Sequence, residues 1–171
     1  MKSTGKKFEE QFKKSIPKDV FYYRFRDGTA SFYGGQAQEG IRFQQKNMCD
    51  AEIFKSPVLF LLELKSTKQS SLSYSSIRDN QKKELLKAKQ INGICAGFVV
   101  EFSERNKCFF ADVSQVENFI NASERKSIPI VWFEENATEI EVIPKRINKL
   151  FNVETFIENK INQFKLQEKG E

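Results

Sequence analysis

The sequence predicts an α/β sandwich built around a mixed β-sheet. Three observations predict it. Apolar positions alternate along the chain between the three- and four-residue spacing of helices and the two-residue alternation of strands. One strand, Val58–Lys65 (VLFLLELK), opens with an unbroken apolar run and therefore needs cover on both faces. The chain has 171 residues, 39% hydrophobic and 30% charged, which is one soluble domain with enough material for a core.

Each element follows in order. Residues 5–16 set Phe8, Phe12 and Ile16 at four-residue spacing, an apolar stripe on a first helix that Pro17 stops. Val20–Phe25 (VFYYRF) alternates and is rich in aromatics, so it reads as a strand. Residues 27–40 hold four glycines and read as a long loop or hairpin tip turning at Gly34-Gly35. Asn47–Phe54 and Val58–Lys65 are two strands joined by the short turn Lys55-Ser56-Pro57. A Ser-rich loop then leads to a helix over Asp79–Gln90, opened by a capping-type Ser76-Ile77-Arg78-Asp79 and ended by Asn92-Gly93. Strands at Ile94–Phe102 and Cys108–Val113 flank a polar turn. Ser114-Gln115-Val116-Glu117 has the S-x-x-E spacing of a capping box before a short helix to Ala122. Ile128–Phe133 and Glu139–Ile143 read as short extended pieces, and a last helix starts near Asn152.

Composition narrows the chemistry. The net charge of +5 permits a polyanionic partner without demanding one. There is no histidine, which removes Ser-His-Asp and Cys-His catalysis and histidine-ligated metals. Three cysteines without C-x-x-C spacing argue against a disulfide scaffold or a structural zinc, and read as buried thiols. The longest apolar run is too short to cross a bilayer, and the first residues carry no secretory core. A cytoplasmic protein is expected. Any catalyst here uses carboxylates, amides, Lys, Tyr, Ser or Cys, and the first two suit Mg²⁺ or Mn²⁺.

The informative residues are Glu63 and Lys65. Strand alternation puts them on one face, roughly 7 Å apart at Cα, with Leu62 and Leu64 on the other. Taken alone, a Glu–Lys pair is also what a solvated strand end looks like. Asp50 lies on the preceding strand, which a tight turn pairs antiparallel with the Glu63 strand, so its carboxyl can approach that of Glu63. Two carboxylates sharing a site repel unless a cation neutralises them. A divalent ion held by Asp50, Glu63, a backbone carbonyl and waters is the economical reading, with Lys65 beside it to offset developing phosphorane charge. Taken alone, Asp50 is equally a turn or surface acid.

An upstream Asp followed by Glu-x-Lys on the next strand resembles the PD-(D/E)xK nuclease superfamily. Gly5-Lys6-Lys7-Phe8-Glu9 is similar to the G-x-x-x-E on the first helix of cellular Holliday junction resolvases. Glu63-Leu64-Lys65-Ser66-Thr67 is similar to the E-x-K-x-T of RecU-type resolvases. Gln81, Asn92-Gly93-Ile94 and Ile143-Pro144-Lys145-Arg146-Ile147 follow in the RecU order. The resemblance spans about residues 5–165. It implies a restriction-endonuclease-like core in a single nuclease domain over residues 1–171. It further implies a stalk-like insertion at residues 26–43 that projects into a junction.

The resemblance also implies catalytic roles for Asp50, Glu63, Lys65 and Glu9. Asp50, Glu63 and Gln81 would be ligands for Mg²⁺, or Mn²⁺ in its place. DNA contacts would come from Lys6, Lys7, Arg24, Arg26, Phe32, Tyr33, Arg42, Lys68, Arg78 and Lys82, because aromatics stack on unpaired bases and cations hold phosphates. The implied activity is resolution of four-way DNA junctions by paired phosphodiester hydrolysis. A homodimer is implied with it, and partners such as a branch-migration helicase or a recombinase. Two departures stand out. Met48 occupies a position where the family carries a hydroxyl, and the chain opens almost at Gly5, as expected of a minimal form. A restriction-like nuclease of the same superfamily, or a non-catalytic branched-DNA binding module, would share most of these features.

Overall fold

A computed structural model describes residues 4–25 and 47–170. The expected stalk, with Arg26, Phe32, Tyr33 and Arg42, lies outside the described residues. The framework is a six-stranded mixed sheet flanked by helices, as predicted. Helix α1 (Thr4–Lys14) buries Phe8, Gln11 and Phe12. The strands that follow are β1 (Phe21–Arg24), β2 (Ala51–Lys55) and β3 (Val58–Thr67), paired antiparallel. Helix α2 (Asp79–Lys89) is part of the crossover to β5 (Ile94–Phe102), which lies parallel to β3 with Glu63 beside Phe98 and Lys65 beside Val100. Strand β6 (Lys107–Asp112) returns antiparallel. Then come α3 (Val113–Ala122), α4 (Ile130–Asn136), the last sheet strand β8 (Thr138–Glu139) and α5 (Val153–Gly170). Two small ribbons complete the described fold: β4 (Ser71–Ser73) with β7 (Ser127–Pro129), and β9 (Val142–Pro144) with β10 (Lys149–Phe151).

Alternation along β3 sorts the interior into two cores. Phe60, Leu62 and Leu64 pack with Phe8, Phe12, Phe110, Phe156 and Ile157, under α1 and α5. Leu61 packs on the opposite face with Leu85, Phe98, Phe109 and Phe133, under α2, α3 and α4. Glu63 and Lys65 continue the Leu61 side, so two charged groups enter the sandwich on the α2 face at the end of an apolar strand.

The structure corrects several boundaries. The strand expected from Asn47 begins at Ala51, because the side chain of Asp50 takes the Leu64 N–H, at 2.9 Å. Ser71–Ser73 is a strand inside the expected Ser-rich loop, since β7 offers it a ladder. Helix α2 starts without a side-chain cap: Arg78 is its N-cap residue. The capping box of α3 is Asp112 with Gln115, two residues before the expected one, and Glu117 pairs with Lys82 instead. Ile128–Phe133 is extended only to Pro129 and helical from Ile130. Packing Phe133 into the core and Trp132 against Phe119 overrides the strand propensity of Ile-Val-Trp-Phe. Glu139–Ile143 splits at buried Ile140, and β10 was not expected.

Candidate active site

The site grows from the β2–β3 pairing. Strand β2 pairs Ala51 with Leu62, which carries Asp50 to Glu63 one step further along. The Asp50 N–H donates to the Leu62 carbonyl at 3.1 Å, and its Oδ2 accepts from the Leu64 N–H at 2.9 Å. Asp50 therefore brackets Glu63 from the neighbouring chain segment, and its carboxyl stands in for a ladder carbonyl.

Glu63 is 1% exposed. Lys65 Nζ donates to its Oε1 at 2.7 Å, and Gln81 Nε2 on α2 donates to its Oε2 at 2.8 Å. Burial pushes the Glu63 carboxyl from an ordinary 4.5 up to about 7; the Asp50 charge adds to this, while Lys65 and Arg78 oppose it. Gln81 is itself buried, and its Oε1 has no hydrogen-bond partner. An orphaned amide oxygen beside two carboxylates is an oxygen donor set of the kind Mg²⁺ or Mn²⁺ takes. Among the described residues no group of three or more His, Cys, Asp or Glu comes together, so a metal here would rest on two carboxylates, an amide, backbone and water.

A cleft of about 760 Å³ opens beside these groups, lined by Phe25, Asn47, Met48, Arg78, Asn80 and Gln81. Met48 thus puts a thioether on the wall of this cleft. On the other side of Asp50, Arg24 forms an ion pair with Glu9 of α1. Tyr22 lies among them. Its hydroxyl is buried without a hydrogen-bond partner, and burial raises its pKa, with Arg24 opposing and Glu9 and Asp50 adding. The structure therefore links Glu9 to Asp50 through this strand, while the charges felt by Glu63 are those of Asp50, Lys65 and Arg78. Sequence reasoning missed Tyr22; its alternation with Arg24 in VFYYRF was the available signal.

The remaining expected residues separate by exposure. Lys6, Lys7, Lys68 and Arg78 are exposed. Lys82 is buried and ion-paired with Glu117 at 2.6 Å and Asp79 at 3.6 Å. Cys49 and Cys108 are buried and Cys95 is half-buried; burial pushes the thiols of Cys49 and Cys95 up to about 12 and that of Cys108 well above its usual value, so none is a thiolate nucleophile at neutral pH.

The chain is similar in sequence to known proteins. The SPbeta prophage-derived uncharacterized protein YotM of Bacillus subtilis (strain 168) is 33% identical over 160 residues, covering 84% of this chain and 80% of that protein. The Holliday junction resolvase RecU of Ureaplasma parvum serovar 3 is 28% identical over 102 residues, covering 60% of this chain and 59% of its own. Among solved structures, the Holliday junction resolvase Hjc of Archaeoglobus fulgidus superposes with a TM-score of 0.47 at 16% identity, over 79% of this chain and 95% of that one. The family model for Recombination protein U matches residues 36–155, a span that holds Asp50, Glu63, Lys65 and Gln81 but not Glu9. Since that span covers more than two thirds of the sequence, the chain belongs to the RecU family.

Proposed function

We propose that this protein is a divalent-metal-dependent endodeoxyribonuclease that resolves four-way DNA junctions. The carrying observation is the buried Glu63 carboxylate, held by Lys65 and Gln81 and bracketed by Asp50, with Gln81 also on the wall of a cleft. RecU membership supports the reaction class. Asp50, Glu63 and Gln81 would hold Mg²⁺ or Mn²⁺, and the ion would supply Lewis-acid stabilisation and a water of lowered pKa.

The chain's own groups do the rest. Asp50 and Glu63 set a negative, oxygen-rich pocket on the rigid middle strands of the sheet. Lys65, a fixed cation 2.7 Å from Glu63, offsets the charge that develops on a phosphodiester under attack. Arg78 and Lys68 are exposed cations on the segments that follow, suited to the flanking phosphates. Glu9 is a positioning residue that fixes Arg24 beside Asp50. The products would be 5′-phosphate and 3′-hydroxyl ends. Cutting two opposed strands calls for a two-fold homodimer. A branch-migration helicase or recombinase as partner, and the cytoplasm as location, accompany this reading; among the described residues no helix is long and apolar enough to cross a membrane.

The test is cleavage of a labelled four-way junction with and without Mg²⁺. Asp50→Ala and Glu63→Ala should abolish cutting yet keep junction binding, because phosphate contacts dominate affinity. Near wild-type cutting by either variant ends the assignment. Cutting of linear duplex in preference to junctions would favour a restriction-like nuclease, and binding without cutting a non-catalytic module.

A further inference from the structure

We infer that the tip of the β9–β10 hairpin grips the phosphate backbone of a duplex arm, on the opposite face of the sheet from Glu63. The inference rests on the nuclease reading above. Pro144 pairs with Lys149, and the Lys145 N–H donates to the Asn148 carbonyl at 2.8 Å, so Arg146 and Ile147 form the two-residue loop at the tip. Two-residue hairpin loops favour Asn-Gly or Gly-rich pairs that take positive φ. Among the described residues only Asn106 and Gly93 have positive φ, so turn geometry does not account for Arg-Ile here.

Burial does not account for it either: Ile147 is 86% exposed, the most exposed of the large hydrophobics described. Nor does charge pairing. Within the hairpin Lys149 pairs with Glu101, whereas among the described residues no carboxylate pairs with Lys145 or Arg146. Lys14 joins them across a shallow groove of about 350 Å³, at the end of α1 where the helix dipole also favours a cation. Cations without a carboxylate partner at an exposed hairpin tip fit a polyanion.

The hairpin's base explains how such a grip reaches the site. Lys149 Nζ lies 2.7 Å from Oε1 of Glu101, which is 2% exposed, and the Ser66 hydroxyl donates to Glu101 Oε2 at 2.5 Å. Ser66 follows Lys65 directly. The hairpin is thus rooted, through one buried carboxylate, in the strand that carries Glu63 and Lys65, at the same end of the sheet.

The experiment measures junction and linear-duplex binding without metal across roughly 50–200 mM salt. It compares wild type, the pair Lys145→Gln/Arg146→Gln, and Lys165→Ala. Lys165 lies on the far part of α5, next to Phe164, which lines a groove with Gly93 and Ile94 at the opposite sheet end. Each lost phosphate contact flattens the slope of log affinity against log salt by about 0.9, so the pair should flatten it by about 1.8 on both DNAs while Lys165→Ala leaves it unchanged. Denaturation midpoints should match wild type, since both positions are exposed. The pair Lys145→Ala/Arg146→Ala should repeat the result. Wild type that binds and cuts junctions, with an unchanged slope in the pair, overturns the hairpin contact alone. A changed oligomeric state in the pair assigns the tip to a second copy and also overturns it. Wild type that binds neither DNA overturns the nuclease reading and the hairpin with it.

Discussion

At the scale of single residues, Glu63 concentrates the conflict from which the site is made. Its carboxyl titrates near 7 when folded, against 4.5 ordinarily, because burial and Asp50 disfavour its charge. A raised folded value means that its contribution to stability is fully present below pH 4.5 and is lost as pH rises through about 7. That loss is roughly 3 kcal/mol for an unrelaxed site. In the presence of a chelator, the stability difference between Glu63→Gln and wild type should therefore move in favour of the variant between pH 5 and pH 8. Urea midpoints at the two pH values measure it, and a difference that does not change with pH refutes it. Adding Mg²⁺ at pH 8 should stabilise wild type and not Glu63→Gln, since ligand binding to the folded state adds stability by mass action. Lys65→Ala should cut junctions roughly 10²-fold more slowly if its ammonium is a preorganised charge partner; a rate within a few-fold of wild type removes that role. These residues were legible because strand alternation alone put Glu63 and Lys65 together and the tight turn put Asp50 opposite. Gln81 was legible only through its family resemblance. The Glu9–Arg24 pair was not legible, since it depends on how α1 packs on the sheet, which no local pattern encodes; Tyr22 carried only the weak signal of its alternation with Arg24.

At the scale of elements, the sheet's register depends on close approach that only one residue type permits. A Cβ on Gly97 would sit 2.3 Å from the Ala111 carbonyl oxygen and 2.8 Å from the Phe110 ring, across the β5–β6 pairing. Gly97→Ala should thus cost about 3 kcal/mol or more, because backbone rather than a flexible side chain must give way. A midpoint shift of less than 1 kcal/mol in urea would show that β6 moves freely. Helix α3 gives a milder case. Asp112 caps it by accepting from the Ser114 N–H at 2.8 Å and also pairs with Lys89. Asp112→Ala should cost about 1–2 kcal/mol, mostly the cap, and Asp112→Asn should restore most of it. The long elements β3 and β5 were legible because their apolar runs leave no other solution. Ile128–Phe133 misled because its residues favour a strand, while burial of Phe133 selects a helix that local propensity does not reveal.

At the scale of the whole molecule, the proposed function assigns chemistry to the body and choice of substrate to residues 26–43. Phe25 and Asn47, which border the undescribed stretch, both line the cleft beside Gln81 and Arg78, and the Phe25 N–H donates to the Asp50 carbonyl at 3.0 Å. The chain thus leaves and returns at the mouth of the candidate site. Its composition, glycines interleaved with Arg26, Phe32, Tyr33 and Arg42, suits contact with phosphates and unpaired bases at a branch point. Removing Thr29–Gln38 should leave a folded protein, because the segment lacks the periodic apolar pattern of core elements. The divalent-ion stabilisation at pH 8 should persist, because Asp50, Glu63 and Gln81 lie outside the deletion. Affinity for linear duplex should change little, since Lys6, Lys7, Lys68 and Arg78 remain exposed. Preference for a four-way junction over duplex should collapse, and junction cutting with it. The ratio of the two dissociation constants at one salt concentration measures this, because phosphate-driven affinity varies steeply with salt. A deletion variant that keeps the wild-type ratio places junction selectivity in the body of the protein and ends the stalk reading.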